Sequence, residues 1–188
     1  FVYLAAIQSG KTPGSIVDDS PVTFGNWSPK NYENDFVGSI TYRYALQHSR
    51  NVAAVKIADE VGMSKIIKLA KEMGISTLTD QDYNLSTALG GLTHGVTPLE
   101  MVQAYGVLAN GGIKVQPTAI LKIVDRNGQV VEEHSIQEKR VVDEKDAAII
   151  TNMLESVING GTGGNAAIGR PAAGKTGTTD DSKDAWFV

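Results

Sequence analysis

The sequence predicts one domain of the α+β class. Apolar residues recur at helical spacing between Ser39 and Leu108, and again from Asp143 to Val157. An Asn-Gly pair joins two β-rich runs, Ala119 to Asp125 and Gln129 to Glu133, which is a strong hairpin signal. Two more strand-like runs, Lys175 to Thr179 and Ala185 to Val188, flank a polar turn from Asp180 to Asp184.

At 188 residues the chain can enclose one hydrophobic core, and a single domain over residues 1–188 is expected. Hydrophobic residues make up 41% and charged residues 20%, a balance that excludes a disordered chain. The net charge is −4 and Lys and Arg form no stripe, so a nucleic-acid partner has no electrostatic basis. Absence of cysteine excludes disulfides and thiolate metal sites. The three histidines lack metal-ligand spacing; His48 and His94 are expected at the surface or behind the groups that contact a ligand, and His134 exposed, and no metal or other cofactor is expected. No run is apolar enough over a sufficient length to span a membrane.

The elements follow in order. Phe1, Leu4 and Ala5 fall at helical spacing, with Gly10 as the C-terminal cap. A chain seldom begins inside a helix without a cap, so an upstream segment is expected. Lys11 to Phe36, with Pro13, Pro21 and Pro29, reads as a loop-rich tract. Ser39 is positioned to cap a short helix through Ala45 and Leu46. Helices from Val52 to Val61 and from Ser64 to Met73, stopped by Gly62 and Gly74, complete a compact helical lobe. Thr97-Pro98-Leu99-Glu100 is a capping box with proline at the first helical position. The helix it opens is expected to bury Met101, Val102, Tyr105 and Leu108 and to end at Asn110-Gly111-Gly112. A last helix from Asp143 turns Ala147, Ile150, Leu154 and Val157 inward, and Thr162 to Gly174 is a glycine-rich loop.

Two short motifs carry chemistry. In Ser49-Arg50-Asn51 a hydroxyl and an amide two residues apart on an inter-helix turn can face the same way, offering a proton relay and an amide donor and acceptor. Alone, Ser49 also reads as the cap of the helix near Val52. In Lys175-Thr176-Gly177 the first and third residues share one face of a strand. There an ammonium can hold a carboxylate or shift a nearby hydroxyl, while glycine admits a substrate backbone. Alone, Lys175 also reads as a solvated edge lysine.

In this order the two resemble the second and third motifs of the penicillin-binding and serine β-lactamase superfamily. Trp27-Ser28-Pro29-Lys30-Asn31-Tyr32, Ala88-Leu89-Gly90, Leu108-Ala109-Asn110-Gly111-Gly112 and Asp184-Ala185-Trp186-Phe187-Val188 extend the likeness to the class A penicillin-binding proteins over essentially the whole chain. One departure stands out: no serine here has a lysine three residues later. The family's nucleophile sits in such an S-x-x-K motif, so it is expected upstream of Phe1. The 188 residues alone are expected to be inactive, and C-terminal strands to follow Val188.

The resemblance implies an antiparallel sheet flanked by helices, with catalytic groups between sheet and helical lobe. It implies a serine D,D-transpeptidase that cross-links peptidoglycan stem peptides ending in D-Ala-D-Ala and is acylated by β-lactam antibiotics. By the same likeness Ser49 relays the leaving-group proton, Asn51 binds a substrate amide and Lys175 supplies positive charge beside Ser49. Thr176 and Thr178 hold the terminal carboxylate, Gly177 admits the substrate, and the Thr178 N–H is half of an oxyanion hole. The expected place is the extracytoplasmic face of the bacterial cytoplasmic membrane, with the anchor outside these residues. A β-lactam-binding sensor and a β-lactamase-like hydrolase are the alternatives within the superfamily.

Overall fold

The computed structural model describes residues 1–179 and 183–188. In chain order the elements are α1 (Val2–Gln8), β1 (Ile16–Asp19), β2 (Gly38–Thr41), α2 (Tyr42–Gln47), α3 (Asn51–Val61), α4 (Met63–Met73) and α5 (Pro98–Ala109). They continue as β3 (Ile113–Val115), β4 (Lys122–Val124), β5 (Val130–Glu133), β6 (Glu138–Arg140), α6 (Glu144–Gly160), β7 (Thr176–Thr178) and β8 (Ala185–Phe187). The strands pair as four antiparallel ribbons: β1 with β2, β3 with β6, β4 with β5, and β7 with β8.

Helix α1 is the centre of the core. Every residue from Val2 to Ile7 is buried, because α3, α4 and α6 all pack on this one short helix. They contribute Ala53, Ile57 and Ala58 from α3, Ile67, Ala70 and Met73 from α4, and Ala147, Met153 and Val157 from α6. Small residues at Ala6, Ala53, Ala58 and Ala147 let these backbones approach closely, and larger ones fill the remaining space. The four inward positions expected for α6 are all buried.

The capping box forms as read. The Glu100 N–H donates to Thr97 Oγ1 at 3.2 Å, and the Thr97 N–H donates back to Glu100 Oε2 at 2.8 Å. The second carboxylate oxygen accepts from the Ser76 N–H at 2.7 Å, the Ser76 hydroxyl at 2.8 Å and the Thr77 N–H at 3.2 Å. One side chain thus caps α5 and ties it to the segment leaving α4. These donors, the Thr97 N–H foremost, pull the Glu100 carboxyl down to about 2. Its contribution to stability is full above the ordinary value of 4.5 and is lost as pH falls towards 2. Glu100→Gln is expected to cost about 1 kcal/mol at neutral pH. It should also narrow the stability gap between pH 7 and pH 3 in urea denaturation.

Several expectations need correction. The tract from Lys11 to Phe36 contains β1, whose alternating burial places Val17 and Asp19 inward. Ser39 lies in β2, paired with Asp18, so the cap of α2 is Thr41, whose hydroxyl accepts from the Tyr44 N–H at 3.1 Å. Val102 is exposed: the inward face of α5 centres on residues 104 and 107, with Met101, Tyr105 and Leu108 half-buried beside it, and Val102 lies nearly half a turn away. Ala104 and Val107 are the residues fully enclosed there. His134 is half-buried, because the ladder continues past β5 through its N–H to the Leu121 carbonyl at 2.9 Å. His48 needs no correction: expected at the surface or behind the groups that contact a ligand, it is half-buried with its ring against Tyr44. The expected polar turn lies partly outside the described residues, at Asp180, Asp181 and Ser182.

Candidate active site

The turn between α2 and α3 sets the first half of the site. The Ser49 N–H donates to the Leu46 carbonyl at 3.2 Å and the Arg50 N–H to the Ala45 carbonyl at 2.9 Å. This is the paired closure of a Schellman end, with Ser49 in the left-handed position at φ 51°. Glycine is the usual occupant; a serine held here stores local strain and brings a hydroxyl. Ser49 does not cap α3. The N-cap is Arg50, which makes no side-chain cap bond, and the Val52 N–H donates instead to Asn31 Oδ1 at 3.1 Å.

The turn is locked by its middle residue. Arg50 Nε donates to Asp19 Oδ2 at 2.8 Å, and its two other nitrogens reach Asp35 Oδ1 at 2.9 Å and the Asp35 carbonyl at 2.8 Å. Asp19 is fully buried on β1 and also accepts from Asn31 Nδ2 at 2.9 Å. Asn51 Nδ2 donates to the Lys30 carbonyl at 3.0 Å, which fixes its amide and leaves Oδ1 to accept from a ligand N–H. None of Asp19, Asn31 or Asp35 carries a motif signal of its own. Asn31 lies in the run beginning at Trp27, but its contacts join segments far apart in sequence.

The second half comes from the last ribbon. Lys175 directly precedes β7, and its N–H and carbonyl pair with Val188 at 2.9 and 3.2 Å, extending the β7–β8 ladder. Its ammonium donates to Ser49 Oγ at 2.8 Å, to the Thr176 carbonyl at 3.0 Å and to Thr176 Oγ1 at 3.4 Å. The structure thus brings Ser49 and Lys175 into contact across 126 residues. Thr176 is half-buried beside them, and Gly177 and Thr178 are exposed further along β7. Burial lowers the Lys175 ammonium to about 8. Because Ser49 accepts from Lys175, its own proton is free to be donated to a ligand. Among the described residues no cluster of His, Asp or Glu converges as a metal site would require.

Gly174 sets the depth of this ribbon. A Cβ there would lie 2.5 Å from the Phe187 ring and 2.7 Å from the Val188 carbonyl. Gly174→Ala is therefore expected to separate the strands at the pair that holds Lys175, costing about 1–3 kcal/mol. A thermal melt checks this, with Gly177→Ala as the contrast: its added carbon meets only the Trp186 Cβ, at 3.5 Å.

The chain matches the family described as the penicillin binding protein transpeptidase domain over residues 1–188. Penicillin-binding protein 1A of Aquifex aeolicus is 41% identical over 194 aligned residues, covering 100% of this chain and 26% of that protein. Penicillin-binding protein 1A of Rickettsia conorii is 37% identical over 218, covering 100% and 27%. The chain thus spans about a quarter of the length of these relatives. Among solved structures, penicillin-binding protein 1A from Haemophilus influenzae superposes with a TM-score of 0.90 at 27% identity, over 99% of this chain and 34% of that one. PonA1 of Mycobacterium tuberculosis in complex with penicillin V gives 0.86 at 26%, over 99% and 54%. The expected fold class, antiparallel strands flanked by helices, is the fold of these neighbours.

Proposed function

This chain belongs to the penicillin-binding protein transpeptidase family, and on that premise we propose that it is the main part of a serine D,D-transpeptidase domain that cross-links peptidoglycan stem peptides and is acylated by β-lactams. The observation that carries the reading is the 2.8 Å bond from Lys175 Nζ to Ser49 Oγ, which joins the two motifs into one site.

In this reading a serine from an S-x-x-K segment outside residues 1–188 attacks the penultimate D-Ala carbonyl, and D-Ala leaves as the acyl-enzyme forms. Ser49 donates its free proton to the leaving amine and is kept pointing that way by the Lys175 ammonium behind it. Asn51 Oδ1 accepts from a substrate amide. Lys175, Thr176 and Thr178 receive the terminal carboxylate, and the Thr178 N–H contributes to the oxyanion hole. The amine of a second stem then resolves the acyl-enzyme. β-Lactams enter as mimics of the D-Ala-D-Ala end. The place of action is the outer face of the bacterial cytoplasmic membrane, with the anchor elsewhere in the protein; among the described residues no helix is long and apolar enough to cross a membrane.

The test is acylation by a fluorescent penicillin, comparing residues 1–188 with a longer protein that includes the serine segment. Labelling of the longer protein only is the expected result. Labelling of neither overturns the reading, and labelling of the 188 residues would place the nucleophile among their own serines.

A further inference from the structure

Between α6 and β7 lies Gly161-Thr162-Gly163, which no motif marks and whose central residue touches both halves of the cleft. The Thr162 N–H donates to the Gln47 carbonyl at 3.3 Å, two residues before Ser49. The Thr162 hydroxyl lies 2.8 Å from that of Thr176, the residue after Lys175. With the Lys175 bonds to Ser49 and Thr176, these contacts close a ring: Gln47, Ser49, Lys175, Thr176 and Thr162. The fold makes room for it. A Cβ on Gly161 would sit 2.2 Å from the Gln47 carbonyl, so only glycine lets the chain pass this close to the end of α2.

Hydroxyl bookkeeping gives the ring a direction. A threonine hydroxyl has one proton and two lone pairs. The Lys175 ammonium approaches Thr176 Oγ1 at 3.4 Å and takes one lone pair. If Thr162 donates to the other, both are occupied and the Thr176 proton must point away from both neighbours, as a donor. A hydroxyl that can only donate suits an acceptor, an anionic carboxylate more strongly than a neutral carbonyl, and is unsuited to a donor such as N–H. We propose that Thr162 is a positioning residue that donates to Thr176 Oγ1 and so turns the Thr176 hydroxyl proton towards the carboxylate of the substrate. The inference rests on the transpeptidase reading and adds to it a residue that strengthens recognition of a free carboxylate terminus.

The test uses the longer protein with its serine segment, and follows acylation by a penicillin and by its methyl ester. Thr162→Val keeps the N–H bond to Gln47 and removes only the hydroxyl. It is expected to raise the half-saturating concentration of the acid by about threefold to tenfold, the worth of one hydrogen bond. The limiting acylation rate should stay within about twofold of the parent, and the ester, whose neutral carbonyl is the weaker acceptor, should lose clearly less than the acid. Thr162→Ser should restore parental behaviour. Thr162 is exposed, so Thr162→Ala serves equally if the valine variant does not fold. A silent variant, an equal loss for acid and ester, or no rescue by serine overturns the inference while leaving the transpeptidase reading in place. A parent protein that is not acylated at all overturns both.

Discussion

Asp19→Ala is expected to destabilise the protein by about 3–5 kcal/mol, the largest loss of any single substitution around the site. The Asp19 carboxylate is fully buried and accepts from Arg50 Nε at 2.8 Å, Asn31 Nδ2 at 2.9 Å and the Val37 N–H at 3.3 Å. Removing it takes an acceptor from three donors at once, although Asn31 Nδ2 keeps its bond to the Asp35 carbonyl at 2.9 Å. The guanidinium, only 12% exposed, keeps Asp35 as its remaining anion. That partner is half in water and screened, so it offsets only part of the loss. Asp35→Ala is accordingly expected to cost about 1 kcal/mol or less. Urea denaturation of the two variants checks the pair, and equal losses would show that the buried carboxylate is not the anchor of the turn. Because Arg50 stands between Ser49 and Asn51, Asp19→Ala should lower acylation as well, in proportion to how far the turn relaxes.

Local chemistry made much of the frame legible. Thr97 and Glu100 announce α5 through their own side chains, and Asn127-Gly128 announces the β4–β5 ribbon. The inward face of α6 follows from spacing alone. What sequence reasoning missed is set by partners distant in the chain. Strand β1 has Asp19 at an inward position, which no apolar alternation reveals, because its burial depends on Arg50 thirty-one residues away. Strand β6 is Glu138-Lys139-Arg140, charged throughout, and exists because β3 supplies its ladder. The sequence points to Ser39 as the cap because nothing local says that residues 38–41 pair with β1. The same limit applies to the site. Ser49 and Lys175 stand in motifs that can be read, but Asn31, which caps α3 from the segment between β1 and β2, and Thr162, which touches both Gln47 and Thr176, carry no local signal. Their roles come from the close approach of three segments, which packing around α1 produces.

Lys175→Met is expected to lower β-lactam acylation by about a hundredfold to a thousandfold, the usual cost of removing a positioned donor from such a site. Stability should hold, since an apolar side chain of similar length replaces a charge that burial disfavours. The pH dependence separates these two effects. Burial lowers Lys175 to about 8 from an ordinary 10.5, so the folded protein releases this proton more readily than the unfolded chain. Between about 8 and 10.5 the unfolded chain binds more protons, and the Lys175 contribution makes stability rise with pH. Acylation should move the other way over the same window. As the ammonium is lost, Ser49 Oγ and the incoming carboxylate lose their cation, and the rate falls through about 8. Falling acylation with undiminished stability is therefore the signature of Lys175 itself, because unfolding would lower both together. Lys175→Arg adds a second check. A guanidinium stays charged throughout this range, so the variant should lose the alkaline limb even though its different reach lowers the plateau. A limb that persists near pH 8 in Lys175→Arg would belong to another group, and the charge beside Ser49 would then have to be assigned elsewhere.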